Sequence, residues 1–460
     1  MCLTIPGKIK SIKEGVAIVE NGQRTAQVDL GLVFYAKVGD WILYATDRAV
    51  KRISEEDAKE IISLLEDHYH PVDVSKLPLK FKKIIFKVRS RESRNKELRI
   101  KNYGEDAPHL ASPYKGEELA KDSTSQDLTK GEIEYLLNLK GKDNLETLFA
   151  EANSIRKEKI EDFVCIHGII EFSNYCKNNC LYCGIRCDNK KSKRYRMTKD
   201  EIVETAKKAV EMEGYKLIVL QSGEDDFYSD KDLIDIIKEI KKQLRVFIFI
   251  SVGERSQEFY KDAFMAGASG SLIRFETSNS ELYSKLRPRH KLDNRLQLIR
   301  YQQKLGYYVA SGSMVGLPGQ TIGDIAEDLL MIKKLGIPMI SAGPFIPASC
   351  TPLEKVESRK SKVESIELFL KFIAIARFMM PEIKIPVTTA LETLDPENGR
   401  HRGLLAGANA LMFNLTPEKF AGDYNIYDNK YREREKVWQK YGLFEGEESY
   451  EMLEEKLQIK

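Results

Sequence analysis

The sequence predicts an α/β protein whose main part is a (β/α)8 barrel of the TIM type, preceded by a small, OB-like β-barrel with a C-terminal helix. Between residues 129 and 430, eight short apolar or β-branched runs alternate with amphipathic segments. This alternation indicates parallel strands closed into a barrel. Residues 1–70 instead alternate single apolar and polar residues around turn formers, which is typical of antiparallel hairpins.

The first unit, residues 1–70, contains three segments with the two-residue period of half-buried strands. Asn21-Gly22 lies between the first and the second, and this dipeptide favours a tight hairpin turn. Ser54, followed by acidic residues, predicts the start of a helix. The strand segments are KIKSIKEGVAIVE, QRTAQVDLG and DWILYATDRAVKRI.

The second segment, residues 71–128, is basic. From Lys76 to Lys101 there are eleven Lys or Arg against Glu92 and Glu97, and a stretch rich in turn formers follows. Such a run is usually a solvated linker or a peripheral element. The alternative is a basic docking surface for a partner.

The third unit, residues 129–430, carries the barrel pattern, and the charged residues 431–460 are predicted to form a helical extension. Amphipathic helices such as EIVETAKKAVEME and LIDIIKEIKKQL separate the strands. The strand candidates are CIHGIIEFS, KLIVLQS, VFIFISV, GSLIRFE, YVASGSMVG, PMISAGP, KIPVTTA and NALMFN.

Composition excludes several classes of function. The net charge of +3 is close to neutral, so it predicts no nucleic-acid or membrane partner. The N-terminus lacks the apolar core of a signal peptide, and no run of apolar residues is long enough to span a bilayer. We therefore expect a cytoplasmic protein. Seven cysteines, an odd number with four of them between Cys176 and Cys187, favour metal binding over disulfides.

The central motif is Cys176-Lys-Asn-Asn-Cys180-Leu-Tyr-Cys183, directly after the first barrel strand. Barrels of this type place their chemistry on the loops at the C-terminal ends of the strands. Three thiolates can bind three irons of a [4Fe-4S] cubane and leave the fourth iron open for a substrate. Cys187 leaves a four-cysteine zinc or electron-transfer site as an alternative.

This motif, with Tyr182 before its last cysteine, resembles that of radical S-adenosylmethionine (SAM) enzymes. The resemblance implies a [4Fe-4S] cluster and SAM, which the open iron chelates and one electron cleaves to a 5′-deoxyadenosyl radical. Within this class the chain resembles the HydE family of FeFe-hydrogenase maturases, with methylornithine synthase as a close relative and biotin synthase further off. The segments that carry this resemblance are IIEFSNYCKNNCLYCGIRCDN, YRMTKDEIVE, IVLQSGED, RFETSNSELYSKLRP, GSMVGLPGQT, GPFIPASCTPL and LMFNLTP.

The resemblance also implies which residues bind the cofactor. Ser222, Gly223 and Glu224 stand where the family holds the methionine amino group. Arg295 is similar to the arginine that pairs with the SAM carboxylate, and the backbone at Val315 is expected to meet the adenine. The full set is Tyr182, Gln221, Ser222, Gly223, Glu224, Ser251, Glu276, Arg295 and Val315.

Four residues are candidates for contact with the reacting molecule. Arg274 and Glu276 are expected on one strand at i and i+2, so both side chains point to the same side. In a barrel interior such a pair is costly unless ligand groups match it. Tyr424 and Tyr427 resemble tyrosines that close the cavity of the family.

The N-terminal unit resembles HypC, a small carrier and chaperone of hydrogenase assembly, through MCLTIPG and WILYATDRAVKRI. The resemblance implies that Cys2 holds an iron–cyanide–carbonyl fragment, although Ala45 stands where that family has a histidine. No cysteine follows Cys350, so a second cluster is predicted to be absent, which disfavours biotin synthase chemistry.

Three hypotheses for function follow. The first is a radical SAM enzyme that acts on a small iron-carbonyl/cyanide-cysteine substrate, together with other hydrogenase maturation proteins. The second is a radical mutase of an amino acid, similar to methylornithine synthase. The third is a non-catalytic carrier of an iron fragment.

Overall fold

A computed structural model gives the structure of the protein. It describes residues 5–21, 24–31, 33, 35–45, 48–56, 58–59, 77–103, 127–160, 164–355 and 361–432. Cys2 lies outside these residues, as do residues 433–460 of the predicted C-terminal extension.

The N-terminal unit is a closed five-stranded barrel in the order β1-β2-β3-β5-β4. Neighbours pair antiparallel except β3 and β5, which meet in a parallel bridge at Asp29 and Arg48. Alternate apolar residues such as Val19, Val28 and Ile42 fill its interior, which confirms the predicted small barrel. Its strands are β1 Ile5–Lys13, β2 Val16–Asn21, β3 Arg24–Asp29, β4 Trp41–Ala45 and β5 Arg48–Ile53.

The predicted basic linker is, in its described part, a helix. Helix α1 spans Leu79–Tyr103, and its apolar residues Phe81, Ile84, Ile85 and Val88 are buried in the same core as the main barrel. Lys83 is exposed, whereas two other cations of the helix pair with acids of the main unit. Lys87 bonds Glu132, and Arg89 bonds Glu151 and Glu158. Of the two alternatives given above, a solvated linker or a peripheral element, this helix has the packing of a peripheral element.

The main unit is an eight-stranded parallel sheet in the order β12-β10-β9-β8-β7-β6-β15-β14. A parallel bridge between Met339 of β12 and Lys384, just before β14, joins the two edges and completes the ring. The eight predicted strands are thus confirmed. The strands are β6 Cys165–Ser173, β7 Leu217–Ser222, β8 Phe247–Ser251, β9 Ala268–Leu272, β10 Tyr308–Ser311, β12 Met339–Ile340, β14 Pro386–Val387 and β15 Ala410–Asn414.

Two predicted strands are each interrupted. The runs YVASGSMVG and PMISAGP break after β10 and β12 and resume as a separate two-stranded sheet of β11 Met314–Val315 and β13 Gly343–Pro344. The backbone around Gly312 explains the break, since a Cβ there would lie 2.6 Å from the carbonyl oxygen of Ser341. The break turns Met314 toward the mouth of the barrel.

Helices cover the outside of the ring. Capping boxes fix where several of them begin, as at Ser229 with Asp232 and at Thr321 with Asp324. The helices are α2 Lys130–Leu137, α3 Lys142–Ile160, α4 Lys199–Lys207, α5 Asp230–Gln243, α6 Gln257–Met265, α7 Ser280–Leu286, α8 Leu292–Leu305, α9 Ile322–Leu335, α10 Lys362–Met379, α11 Thr389–Leu394, α12 Gly399–Leu405 and α13 Glu418–Ala421.

After α13 the chain crosses the mouth of the barrel as a strap, residues 422–432. Its backbone carbonyl at Ile426 accepts a bond from the amide of Gly184 at 2.9 Å. Asp428 accepts bonds from the amide and hydroxyl of Ser349, and the amide of Tyr431 donates to Thr393 Oγ1 at 2.9 Å. The strap therefore forms one wall of the cavity described next.

Candidate active site

A cavity of about 1400 Å³, its open mouth included, lies at the C-terminal ends of the barrel strands. Most candidate residues face it, since the ends of parallel strands converge on this side of a barrel. Its polar and sulfur-bearing walls are formed by Glu171, Cys176, Asn178, Cys180, Tyr182, Cys183, Gln221, Ser222, Glu224, Ser251, Arg274, Glu276, Arg287, Arg295, Met314, Thr388, Tyr424, Tyr427 and Lys430.

The three cysteines of the motif all line this cavity, as the sequence predicted. Cys176 follows β6 after two residues, and the amide of Cys183 donates to the carbonyl of Cys180 at 3.3 Å. Of the described cysteines, Cys187 does not line the cavity. Its thiol lies 3.8 Å from Asp188 Oδ1, so the four-cysteine alternative has no fourth thiol on this wall.

Arg194, which the sequence analysis missed, holds the cysteine loop. Its guanidinium donates to the carbonyls of Asn174 and Ile185, and also to those of Arg186 and Asn189. The fully buried Asn174 adds bonds from its Nδ2 to two further carbonyls. In the sequence Arg194 is a basic residue eleven positions after Cys183, and nothing distinguishes it there from the lysines around it.

Burial dominates the chemistry of the thiols. It raises the pKa of Cys176 to about 11 and also raises those of Cys180 and Cys183. Among the described residues, no group of three His, Cys, Asp or Glu side chains converges on one metal ion. A cubane does not need such a group, because each thiolate binds a different iron. The free energy that is needed to deprotonate these buried thiols is offset by the bonds that the thiolates form to iron.

Two glycines allow the walls to approach one another. A Cβ on Gly223 would lie 2.2 Å from the carbonyl oxygen of Tyr175 and 2.8 Å from Cys176 Cβ. Gly253 has a left-handed φ of +77°, and a Cβ there would lie 1.9 Å from Glu224 Cγ. These contacts place the predicted Ser222–Glu224 segment directly beside the first cluster cysteine.

A cluster of charged side chains lies beside the cysteines, and only one of its members, Arg295, was predicted from the sequence. Arg295 Nε donates to Glu254 Oε1 at 2.7 Å, and Arg287 Nη2 lies 3.9 Å from the same oxygen. His290 Nδ1 lies 3.5 Å from Glu254 Oε2. Although burial opposes the effect, Arg295, Arg287 and His290 together lower the pKa of Glu254.

Several polar atoms around the cavity are buried and have no hydrogen-bond partner among the described residues. They are Arg295 Nη2, Arg287 Nε and Thr388 Oγ1. Buried polar atoms are normally satisfied, so such atoms around a cavity indicate a polar ligand. Two are guanidinium donors near the thiols, which suits a carboxylate.

Arg274 and Glu276 lie together, but not on a strand as predicted. Strand β9 ends at Leu272, and Glu276 follows in a left-handed conformation with φ of 67°. Arg274 Nε lies 3.3 Å from Glu276 Oε2. A non-glycine residue in this conformation costs about 1–3 kcal/mol and is frequent at functional sites. The turn, rather than the strand period, brings both side chains to the cavity.

Tyr424 and Tyr427 line the cavity as expected, and a buried ion pair that the sequence analysis missed lies beside them. Lys430 of the strap bonds Glu171 of β6, whose other oxygen accepts a bond from Asn414 at 2.9 Å. Lys430 Nζ is 4.9 Å from the centre of the Tyr424 ring. Burial lowers the pKa of Lys430, and Glu171 opposes this shift.

Val315 does not line the cavity, contrary to the expectation for its backbone. Its carbonyl accepts a bond from the amide of Phe345 at 2.8 Å within the β11–β13 pair. Met314 lines the cavity instead. Gln221, Ser222, Ser251 and Tyr182, which are predicted to bind the cofactors, all line the cavity.

No helix among the described residues is both long and apolar enough to cross a membrane.

Comparison with known proteins identifies the class first. The profile of the Radical SAM superfamily matches residues 170–332, and that of the HupF/HypC family matches residues 1–65. The chain is therefore a radical SAM enzyme, and its cofactors are a [4Fe-4S] cluster and SAM. The three thiols on one wall of the cavity fit this pair, and so do the two guanidinium groups beside them, each of which has a donor with no partner in the described part of the chain.

The particular family follows from full-length relatives. The chain is 44% identical over 315 residues to the [FeFe] hydrogenase maturase subunit HydE of Thermotoga maritima, with 68% of this chain and 88% of that protein covered. It belongs to the HydE family. A 3-methylornithine synthase of Methanosarcina barkeri is 31% identical to this chain, and the match covers 86% of that protein and 67% of this chain. The crystal structure of methylornithine synthase superposes with a TM-score of 0.61 at 28% identity, with 71% of this chain and 93% of that one covered.

Proposed function

We propose that this protein is a maturase of FeFe-hydrogenase that acts on a small, iron-bound, cysteine-derived molecule. The observation that carries the proposal is the 44% identity to the HydE subunit over 88% of its length. The site is consistent with this role, because its cavity extends beyond the thiols to a second group of charged and hydroxyl side chains.

The cysteine side of the cavity is assigned to the cofactors. When bound, the cluster and SAM supply one-electron cleavage of the sulfonium. In our proposal Arg295 binds the SAM carboxylate through Nη2, which has no partner in the described ranges of the chain, while Glu254 fixes its Nε. Ser222 and Glu224 hold the methionine amino group, and the close approach at Gly223 and Gly253 sets their position.

The far side of the cavity is assigned to the reacting molecule. Arg274 and Lys430 each pair with a carboxylate, that of Glu276 and that of Glu171, and Thr388 supplies a hydroxyl with no partner among the described residues. These paired charges and the hydroxyl suit a polar molecule that carries both donors and acceptors, such as one derived from cysteine. Tyr424 and Tyr427 on the strap exclude water from this side, which protects a radical from side reactions.

The N-terminal unit adds a finer proposal. We infer that Cys2 delivers or receives an iron–carbonyl–cyanide fragment that the barrel acts on. The support is the match to the HupF/HypC family at residues 1–65. A tethered carrier raises the local concentration of its cargo. Should Cys2→Ala leave maturation unchanged at limiting iron, delivery by Cys2 is wrong.

A radical mutase is the second candidate, since 3-methylornithine synthase is 31% identical over 86% of its length. Conversion of lysine to methylornithine by the reduced protein would establish it. The fused N-terminal unit favours the maturase, because a mutase of a free amino acid has no need of an iron carrier.

The deciding experiment is anaerobic reconstitution with iron and sulfide, reduction with dithionite, and chromatography for 5′-deoxyadenosine. Reactions are run with and without a synthetic cysteine-ligated iron dicarbonyl cyanide. A deoxyadenosine product or adenosyl adduct that depends on the iron complex is expected. Deoxyadenosine that forms equally without the complex would place the substrate elsewhere.

A further inference from the structure

The cluster must receive an electron from outside the protein, and the outer face of the cysteine loop is exposed on both sides of Cys176. Cys176 faces the cavity, whereas its two chain neighbours, Tyr175 and Lys177, are exposed. The amide of Lys177 donates to the carbonyl of Glu224 at 2.9 Å, and the carbonyl of Tyr175 lies against Gly223. A single layer of residues thus separates Cys176 from solvent.

An aromatic–arginine stack covers this thin wall. The Arg196 guanidinium carbon lies 3.6 Å from the centre of the Tyr175 ring and 4.5 Å from that of Phe227. Phe227 is 65% exposed and Tyr175 36% exposed, so both rings show large apolar area to solvent. Aromatic residues and arginine are the residue types enriched in protein interfaces.

The stack is fixed in position before any partner arrives. Arg196 makes two bonds to Asp225, from Nε at 2.7 Å and from Nη2 at 2.9 Å. Asp225 also accepts a bond from the hydroxyl of buried Ser173, the last residue of β6, at 2.7 Å. A preorganised surface loses little entropy when it binds.

The rim around the stack is basic. Exposed lysines are Lys177, Lys190, Lys191 and Lys193, against the exposed acids Asp188 and Asp226. Lys177 pairs with Asp226, and Lys193 pairs with Asp423. Lys190 Nζ bonds only a carbonyl in the described structure, that of Cys187 at 3.0 Å. This leaves an excess of positive charge beside the two rings.

We propose that the Tyr175–Arg196–Phe227 stack and its lysine rim form the docking surface for a small, acidic iron–sulfur electron-transfer protein that reduces the cluster. The donor loses one electron and the cluster gains one, with no bond or proton changed. Redox encounters of this kind use small interfaces, and opposite charges speed the encounter. This role of the surface depends on the presence of the cluster, but it does not depend on which substrate the enzyme acts on.

The test uses the full chain and a two-cluster [4Fe-4S] ferredoxin of strongly negative charge as the probe. One variant, Phe227→Ala, removes the exposed ring, and a second, Lys190→Glu with Lys191→Glu, reverses the rim. Matched controls are Met265→Ala, also exposed, and Lys304→Glu with Lys334→Glu, at the ends of helices α8 and α9. Affinity is measured by calorimetry on protein with and without the cluster.

We expect each patch variant to weaken ferredoxin binding by about tenfold or more. The rate at which reduced ferredoxin bleaches the cluster should fall by the same factor. Binding to the unaltered protein should fall as salt rises from roughly 50 to 300 mM. Bleaching by dithionite should be the same in all variants, which shows that the cluster site is intact. Equal binding in patch and control variants, or a partner preference for flavodoxin over ferredoxin, would overturn the proposal.

Discussion

Arg295 and Glu254 are paired at the edge of the cavity, with Arg295 Nε 2.7 Å from Glu254 Oε1 and Arg295 Nη2 left without a partner among the described residues. The carboxylate thus occupies one side of the guanidinium and turns its other side toward the cavity. Arg287 Nη2 lies between two acids, 3.8 Å from Glu224 Oε1 and 3.9 Å from Glu254 Oε1. Glu254 is therefore the acid that orients Arg295.

This arrangement predicts that Glu254→Gln weakens SAM binding although Glu254 itself need not touch SAM. Loss of a charge-assisted bond costs about 1.5–3 kcal/mol, so we expect affinity to fall roughly 10- to 150-fold. Equilibrium dialysis of SAM against cluster-loaded protein measures it. Glu258→Gln, on the exposed face of α6, is the matched control. Equal affinities for both variants would show that Arg295 needs no anchor.

The close approach at Gly223 predicts the effect of one methyl group. In Gly223→Ala the new Cβ would meet the carbonyl oxygen of Tyr175 at 2.2 Å, and backbone cannot yield as a flexible side chain does. The cysteine loop must shift, so iron bound after reconstitution should fall well below the normal content per chain. Gly131→Ala in α2 has nothing within 4 Å of its Cβ and should load normally. A normally loaded Gly223→Ala protein would contradict this account of the loop.

The docked helix α1 predicts that its apolar face stabilises the barrel. Phe81 is completely buried, whereas Leu79 two residues earlier is 63% exposed. Phe81→Ala should lower the free energy of unfolding by about 3–5 kcal/mol, and Leu79→Ala should change it by less than about 0.5 kcal/mol. Denaturant unfolding measures both. Were the two changes equal, α1 would not be part of the barrel core.

His167 predicts a dependence of stability on pH. It is fully buried on β6, neither ring nitrogen has a partner among the described residues, and burial lowers its pKa from 6.5 to about 3. Below pH 6.5 the unfolded chain binds a proton that the folded chain does not, so stability falls as the pH is lowered toward 3. At pH 5 the loss is about 2 kcal/mol. The stability contributed by the neutral ring is fully present above pH 6.5.

The measurement is the free energy of unfolding of cofactor-free protein at pH 7.5 and pH 5, beside His167→Leu. The variant has no titrating ring, so its stability should fall by about 2 kcal/mol less over this interval. Parallel losses in both proteins would mean that His167 is protonated inside the barrel.

The Lys430–Glu171 pair predicts a strong coupling between strap and barrel. Lys430→Met leaves Glu171 charged and buried, and breaking such a pair from one side costs about 3–5 kcal/mol. The double variant with Glu171→Gln removes the unpaired charge and should recover most of this loss. Unfolding of the two single variants and the double variant completes the cycle. Additive losses would show that the two side chains do not interact.

How far the sequence predicted the structure depends on whether the signal was local. The cysteine motif and strand β6 were readable because each is a short continuous run. Arg287, Glu254 and Lys430 were missed, since their neighbours are brought to them only by folding: Lys430 is 259 positions from Glu171. Helix α1 had a readable signal, with Phe81, Ile84, Ile85 and Val88 at helical spacing, but its many lysines and arginines concealed it.

The strap also has a consequence for the order of events during synthesis. All three cysteines have been synthesised when the ribosome has reached residue 183, but the strap that forms one wall of their cavity is complete only at about residue 430. At about 5–20 residues per second, this gap lasts roughly 12–50 s. During that time three nucleophilic cysteines lie open to oxygen and to stray metal ions.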